Sequence, residues 1–271
     1  MAADVDLLAF GPHPDDLEIG LGGTIARHTA EGWRVGLCDL TRGEFASNGT
    51  PEERLREAEE ARAVLGAEWR ENLGWPDRGI TGDAAQVNDV VRLVRKWRPR
   101  TVAIPHWGDR HPDHGAASRV LMEALFNARL RKYPGEGDAW APDWVCAYFV
   151  NDAGPICFAI DVSAHYDTKR RALACYRSQF RQDGDGVVTT RLNAPTFSQL
   201  IESRDAQFGA LAGVAFAEGI VVREPVLRPH LFKDWSAARE DRRHLLRLDR
   251  GQRHCRHRAG QVPGRAKPRH S

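Results

Sequence analysis

Apolar positions in this chain come in short runs separated by amphipathic stretches. Val5–Phe10, Arg34–Leu40 and Thr101–Pro105 are largely apolar runs of strand length, the pattern of strands buried on both faces. Between them the period becomes that of a helix. Gly20–Glu31 reads as a helix in which Gly20, Gly22 and Gly23 permit close backbone approach. Pro51–Leu65 is a second helix: Thr50 is a good N-cap, Pro51 fits the first helical position and Gly66 ends it. Ala84–Trp97 sets Val87, Val90, Val91 and Val94 on one face and stops near Pro99, and Gly115–Leu130 turns Val120, Leu121, Ala124 and Leu125 inward. Glu71–Leu73 is at most a short strand. Val145–Val150 and Cys157–Val162 read as two strands that could pair as a hairpin, His165–Phe180 and Pro195–Leu211 as helices, and Val214–Val222 as a final extended segment.

This alternation predicts an α/β fold: one Rossmann-like domain, its sheet mostly parallel, with helices on both faces. Ligands in such sheets bind beyond the carboxyl ends of the strands, at the point where the strand order reverses. Two polar loops stand at such ends. Gly11-Pro12-His13-Pro14-Asp15-Asp16-Leu17-Glu18 follows the first strand, and Asp109-Arg110-His111-Pro112-Asp113-His114 follows Thr101–Pro105. If those two strands are neighbours at the switch, the loops converge.

Two imidazoles and a carboxylate can hold one metal ion and leave a position open for water, with acids and bases to spare. That is the inventory of a hydrolytic zinc site. Pro14 fixes a turn that spreads the side chains around it, so Asp16 can bind a metal with His13 while Asp15 points elsewhere, free to act as a base. His111 and His114 stand three residues apart; a turn of that length could bring both to one site or set Asp113 against His111. Helix capping by the aspartates explains either loop alone. The two together point to a shared metal site. By spacing, Arg54 is one of several charges on a solvated helix face, and Arg78 is a similar charge in a loop. Glu218 lies between small and apolar residues and reads as a buried, structurally paired carboxylate.

Bulk properties narrow the setting. A chain of 271 residues can bury one sizeable core, and none of its apolar runs reaches the roughly 18 residues of a membrane helix, so no membrane partner is expected. The acidic start lacks the basic region of a secretory signal, and the five cysteines are odd in number without a Cys-x-x-Cys pair, so a reduced, cytoplasmic setting is expected. The net charge of +2 hides an asymmetry. Residues 233–271 hold twelve Lys/Arg against four Asp/Glu, leaving 27 against 33, a net of −6, over residues 1–232. The domain is therefore expected over 1–232, followed by a basic tail, disordered or aberrant. Beyond Trp235 that tail lacks interleaved aromatics, and no nucleic acid partner is expected.

Ala9–Gly20 together with Arg110–His114 resembles the PIG-L (LmbE-like) zinc-dependent de-N-acetylases. Cys38–Glu44, Ser47–Thr50, Glu71–Leu73, Pro76–Gly79, Tyr176–Phe180 and Phe216–Gly219 look like the bacillithiol-biosynthesis branch, and the likeness spans residues 5 to about 230. The resemblance implies an enzyme that hydrolyses N-acetylglucosaminyl conjugates, here N-acetylglucosaminyl-L-malate, to the free amine and acetate. It implies zinc on His13, Asp16 and His114, although Fe²⁺, Mn²⁺ or Co²⁺ also suits a His₂Asp site. It implies Asp15 as general base, His111 as stabiliser of the tetrahedral intermediate and Asp113 as the group orienting His111. Arg54 would bind substrate, with Arg78 or Arg110 also meeting malate carboxylates. A trimer or hexamer is the expected assembly. Pro12 stands where the family usually has Ala or Gly, and the ligands remain in place. The other readings are a de-N-acetylase or amidase acting on another glycoconjugate, and a metal-dependent sugar-binding protein without catalysis.

Overall fold

A computed structural model describes residues 4–227. The expected basic tail lies outside the described residues. The compact unit, which closes at Glu224, runs β1 (Val5–Gly11), α1 (Asp16–Ala30), β2 (Val35–Thr41), α2 (Pro51–Leu65), β3 (Trp69–Trp75), α3 (Ala84–Trp97), β4 (Pro99–Pro105) and α4 (Pro112–Ala128). Then follow β5 (Trp144–Tyr148), β6 (Phe158–Asp161), a 3₁₀ turn (Ser163–His165), α5 (Tyr166–Leu173), α6 (Arg177–Phe180), α7 (Pro195–Ala212) and β7 (Ala217–Val221). Among the described residues no helix is long and apolar enough to cross a membrane.

The described strands form one sheet in the order β3-β2-β1-β4-β5-β7-β6. The first five are parallel, and β7 runs antiparallel to both its neighbours. From β1 the chain builds outward through β2 and β3, then crosses back to place β4 on the other side of β1. The order therefore reverses between β1 and β4, whose carboxyl ends carry the two His/Asp loops. Period-2 alternation divides β1 between two cores. Leu8 and Phe10 face the cluster made with α3 and α4, whereas Leu7 and Ala9 face the one made with α1 and α2. Helices thus cover both faces, as the pattern predicts.

Local signals fix several boundaries. The Thr50 hydroxyl accepts from Glu53 N–H at 3.1 Å while the Glu53 carboxylate accepts from Thr50 N–H at 2.9 Å, a complete capping box. Gly66 takes the left-handed conformation that ends α2.

Three expectations are corrected. β5 and β6 do not form a hairpin, because β7 lies between them. The helix expected over His165–Phe180 breaks after Leu173, and the chain resumes as α6 with Ser178 N–H and hydroxyl on the Glu57 carboxylate (2.7 and 2.6 Å). β3 is longer than expected. Its charged Arg70 is buried in a bidentate pair with Asp39 (2.7 Å each) and a 2.6 Å contact with Glu18, which masks the strand pattern.

Glu218 is buried and paired, as expected. It receives Lys169 Nζ at 2.6 Å and, in the middle of α1, the N–H groups of Gly23 and Thr24 at 2.9 and 2.7 Å. Lys169 also bonds Asp205, and Arg204 joins Asp205 to the carbonyls of Ile19, Phe149 and Val150. Removing one partner from such a cluster strands a buried charge, whereas the intact cluster mainly fixes geometry.

Tight packing of α1 on β5 rests on Gly20. A Cβ there would meet the Tyr148 ring and stand 2.7 Å from the Phe149 carbonyl oxygen. Gly20→Ala should therefore lower stability by about 3 kcal/mol, the upper part of the usual overpacking range. Urea unfolding would show a lower midpoint with unchanged slope, and an unchanged midpoint would contradict this close approach.

Candidate active site

The turn after β1 supplies the first groups. Asp15 sits in the left-handed region at φ 110°, a conformation that costs a non-glycine residue about 1–3 kcal/mol and needs surrounding support. Arg54 of α2 supplies part of it. Its Nη2 donates to Asp15 Oδ2 at 3.0 Å and to the Pro14 carbonyl, and its Nη1 donates to the Gly43 carbonyl at 3.2 Å. Gly43 has φ 68°, and a Cβ there would overlap the guanidinium, so glycine is required. Arg54 is only 4% exposed. It lines the cavity where it is expected to meet substrate carboxylates, and both its Nη atoms also hold the loop.

Asp16 opens α1. Its Oδ2 accepts from His13 N–H at 2.9 Å and lies 3.1 Å from His13 Nδ1 and 3.2 Å from His114 Nε2. His114 reaches it from the first turn of α4. On the other side of the His13 ring, Nε2 lies 3.2 Å from Asp77 and 3.3 Å from Asp113. Asp109 stands 3.2 Å from His114 Nδ1, out of line for a good hydrogen bond, and is itself held by His111 N–H and by Asn151.

These carboxylates set the local charge. Burial alone would lower the pKa of His13, but Asp113, Asp16 and Asp77 outweigh it and raise it. Burial likewise opposes the shift of His114, which Asp16 and Asp109 carry up to about 9. Asp16, whose burial would favour the neutral acid, is instead held well below the ordinary carboxylate range by His114 and His13. Burial pushes the Asp15 carboxyl up to about 7 against the pull of Arg54. Burial and the neighbouring imidazoles of His13 and His114 lower the pKa of His111, which favours its neutral form.

Asp113 departs from expectation. Its carboxylate accepts from Arg78 N–H (2.9 Å) and Nη1 (2.8 Å) and faces His13; only its backbone N–H reaches His111, donating to Nδ1 at 3.2 Å. The cause is local: His111 is the N-cap of α4, and the free first-turn N–H turns to the cap side chain. A ring nitrogen that accepts an N–H carries no proton, so neutral His111 is protonated on Nε2 and can donate from there.

His13 Nδ1, Asp16 Oδ2 and His114 Nε2 converge, buried, among further carboxylates. Two imidazoles and one carboxylate in negative surroundings fit a divalent cation of the zinc type. Two other sets have ligand atoms within 4.8 Å of one another, His13 with His111 and His114 and His13 with Asp77 and Asp113; in the first, the Asp113 N–H engages His111 Nδ1. Binding would displace the protons that the carboxylates draw onto His13 and His114.

A cavity of about 320 Å³ opens over these groups. His13, Asp15, Arg54, Asp77, Arg78 and His111 are among its polar lining residues, and Ile19, Phe45, Leu192 and Phe197 among its apolar ones. The Arg78 side chain is 47% exposed at the cavity, whereas Arg110 is exposed without lining it, its N–H donating to Asp152. Sequence reasoning misses three groups. Asp77 follows the carboxyl end of β3, a position that could have marked it. Asp109 stands inside the second loop. Arg191, which donates to Asn151 at 3.3 Å and stacks on Phe197, comes from an irregular segment with no sequence signal.

Residues 8–125 match the PIG-L family, described as GlcNAc-PI de-N-acetylase. The diacetylchitobiose deacetylase of Thermococcus kodakarensis is 28% identical over 229 residues, covering 79% of this chain and 81% of its own. The 1D-myo-inositol 2-acetamido-2-deoxy-alpha-D-glucopyranoside deacetylase 2 of Saccharopolyspora erythraea is 32% identical over 240 residues, covering 69% of this chain and 88% of its own. The crystal structure of a conserved protein from Thermus thermophilus superposes with a TM-score of 0.77 at 40% identity, covering 86% of this chain and 99% of that one. Sequence similarity across most of both chains, with the same fold, leads to one conclusion: the chain belongs to the PIG-L family, metal-dependent carbohydrate de-N-acetylases.

Proposed function

We propose that this enzyme removes the acetyl group from an N-acetylglucosaminyl conjugate, releasing acetate and the free amine. One observation carries the reading: a buried carboxyl, Asp15, lines the cavity directly beside the donor set of His13, Asp16 and His114. A binding protein has no use for that spare base. His13, Asp16 and His114 would hold the cation, with zinc the first candidate and Fe²⁺, Mn²⁺ or Co²⁺ also admissible. When bound, the cation acts as a Lewis acid that polarises the acetamide carbonyl and acidifies water.

Asp15 takes the proton of the attacking water. Arg54 keeps it in reach of the cavity. His111, neutral and protonated on Nε2, donates to the oxyanion of the tetrahedral species; such a donor is commonly worth about 3–4 kcal/mol in the barrier. Asp15 or His111 then delivers a proton to the amine as the C–N bond breaks. Asp113 and Asp77 act on His13 rather than on His111, fixing its ring through Nε2. In this reading Arg54 positions the base, and carboxylate recognition passes to Arg78 at the cavity. A malate aglycone, as in bacillithiol biosynthesis, suits such a cavity. Inositol and chitobiose conjugates, for which the relatives are named, are the alternatives.

Three outcomes test this. Metal-loaded protein should release acetate from N-acetylglucosaminyl-malate in a chelator-sensitive way, faster than from inositol or chitobiose conjugates; preference for either of those would reassign the aglycone. Asp15→Asn should keep its metal, by elemental analysis, and lose roughly 10²–10⁴-fold in kcat; near-normal turnover would remove Asp15 as the base. His114→Ala should lose the metal after dialysis, whereas Asp77→Asn should retain it with about 10–100-fold weaker affinity. Full metal occupancy in His114→Ala would refute the ligand set.

A further inference from the structure

Phe45 is 75% exposed, yet it lines the cavity over His13 and Asp15. Singly exposed hydrophobic residues need no explanation in themselves; Phe45 differs in lining the cavity. It is also well anchored. Ala46 N–H donates to the Gly43 carbonyl at 3.1 Å, closing a turn around it. Phe45 N–H donates to Asp77 Oδ2 at 2.9 Å, and the other oxygen of Asp77 lies 3.2 Å from His13 Nε2. Asp77 N–H in turn meets the Glu44 carboxylate at 3.2 Å. One carboxylate therefore ties the backbone beneath the ring to the imidazole proposed to bind the cation.

The cavity has two kinds of lining. Phe45, Ile19, Leu192 and Phe197 supply its apolar lining, and Asp77, Arg78 and Asn151 are among its polar lining. Its 320 Å³ is near the lower end of the roughly 300–1,000 Å³ typical of small-ligand sites. A pyranose ring matches this division: one face presents C–H groups, and its edge presents hydroxyls. An aromatic ring covers the first by stacking, and the polar lining residues serve the second.

We propose that Phe45 is the stacking platform for the hexosamine ring and gives the enzyme its preference for a saccharide over a plain N-acetyl amine. The proposal rests on the de-N-acetylase reading given above and adds a specificity-determining residue to it. Stacking on a part of the substrate that does not react stabilises ground and transition states alike, so its loss appears in KM rather than in kcat.

The test compares wild type, Phe45→Ala and Phe45→Trp in acetate release from an N-acetylglucosaminyl conjugate, with metal content and light scattering alongside. Phe45→Ala should raise KM about tenfold, the equivalent of one stacking contact, with a far smaller change in kcat, and Phe45→Trp should restore KM to within about threefold. If wild type is active and Phe45→Ala keeps its KM, the platform is refuted while the de-N-acetylase reading stands. Dissociation of an oligomer on Phe45→Ala, with KM unchanged, would make Phe45 an interface residue and equally refute it. If wild type releases no acetate, that reading fails, and saturation-transfer NMR with N-acetylglucosamine decides the platform. Binding to wild type that weakens in Phe45→Ala supports it; equal binding by both proteins, or binding by neither, overturns it.

Discussion

Asp15 and Arg54 together form the contact on which the site depends. A left-handed aspartate is unstable alone, and a buried guanidinium is costly alone. Joined, each removes the difficulty of the other. The turn so fixed sends the next residue, Asp16, into the first turn of α1, where its carboxylate can meet His13 from its own loop and His114 from across the switch. Asp15 itself remains at the cavity, between the convergent donors and the helix that holds it. Loss of the Arg54 contact would therefore disturb Asp15 and the His13, Asp16 and His114 cluster through the same backbone.

The neighbours of that turn form shells of paired charge. Asp77 and Asp113 address one nitrogen of His13 and Asp16 the other, so a single ring is fixed from both sides. Asp113 joins this ring to Arg78, and Asp109 joins the second loop to Asn151 beyond β5. Below the loop, Arg70, Glu18 and Asp39 bind α1 to β2 and β3. Further along the helix, Glu218, Lys169, Asp205 and Arg204 bind it to β7, α5 and α7. Most of these charges are buried, and pairs of that kind contribute geometry more than net stability. α1 is thus positioned by ionic contacts at its reactive end and by glycine-mediated close packing in its middle.

How much of this the sequence carries depends on range. Thr50, Pro51 and Gly66 mark α2 because capping is a local interaction, and the valines of α3 mark its buried face because a helix repeats over a few residues. The two His/Asp loops are legible for the same reason: proline and paired aspartates beside histidine, at the ends of apolar runs, suit little besides a site. β3 is hidden because its pattern is broken by an arginine whose partners lie 31 and 52 residues away. Spacing places Asp113 beside His111, and only the fold reveals that its carboxylate turns to Arg78 and His13. Arg54 looks like a surface charge because nothing in its own helix shows that Pro14, Asp15 and Gly43 surround its head group. Long-range electrostatic partners, unlike caps and periodicity, leave no mark on neighbouring residues.

The place of β7 has a consequence for how the chain is made. β5 and β6 are synthesised well before it, yet neither bonds the other; both wait for a strand near the end of the described chain. Until Ala217–Val221 emerges, β5 and β6 each offer unpaired backbone along the side meant for it, and Lys169 lacks the Glu218 carboxylate. A nascent chain in that condition presents strand edges of the kind that recruit foreign partners. The parallel half of the sheet, with the strands that carry the two His/Asp loops adjacent, is complete in sequence before β7 is made. Quality control during synthesis would therefore act on a molecule whose chemistry is nearly in place but whose sheet is still open.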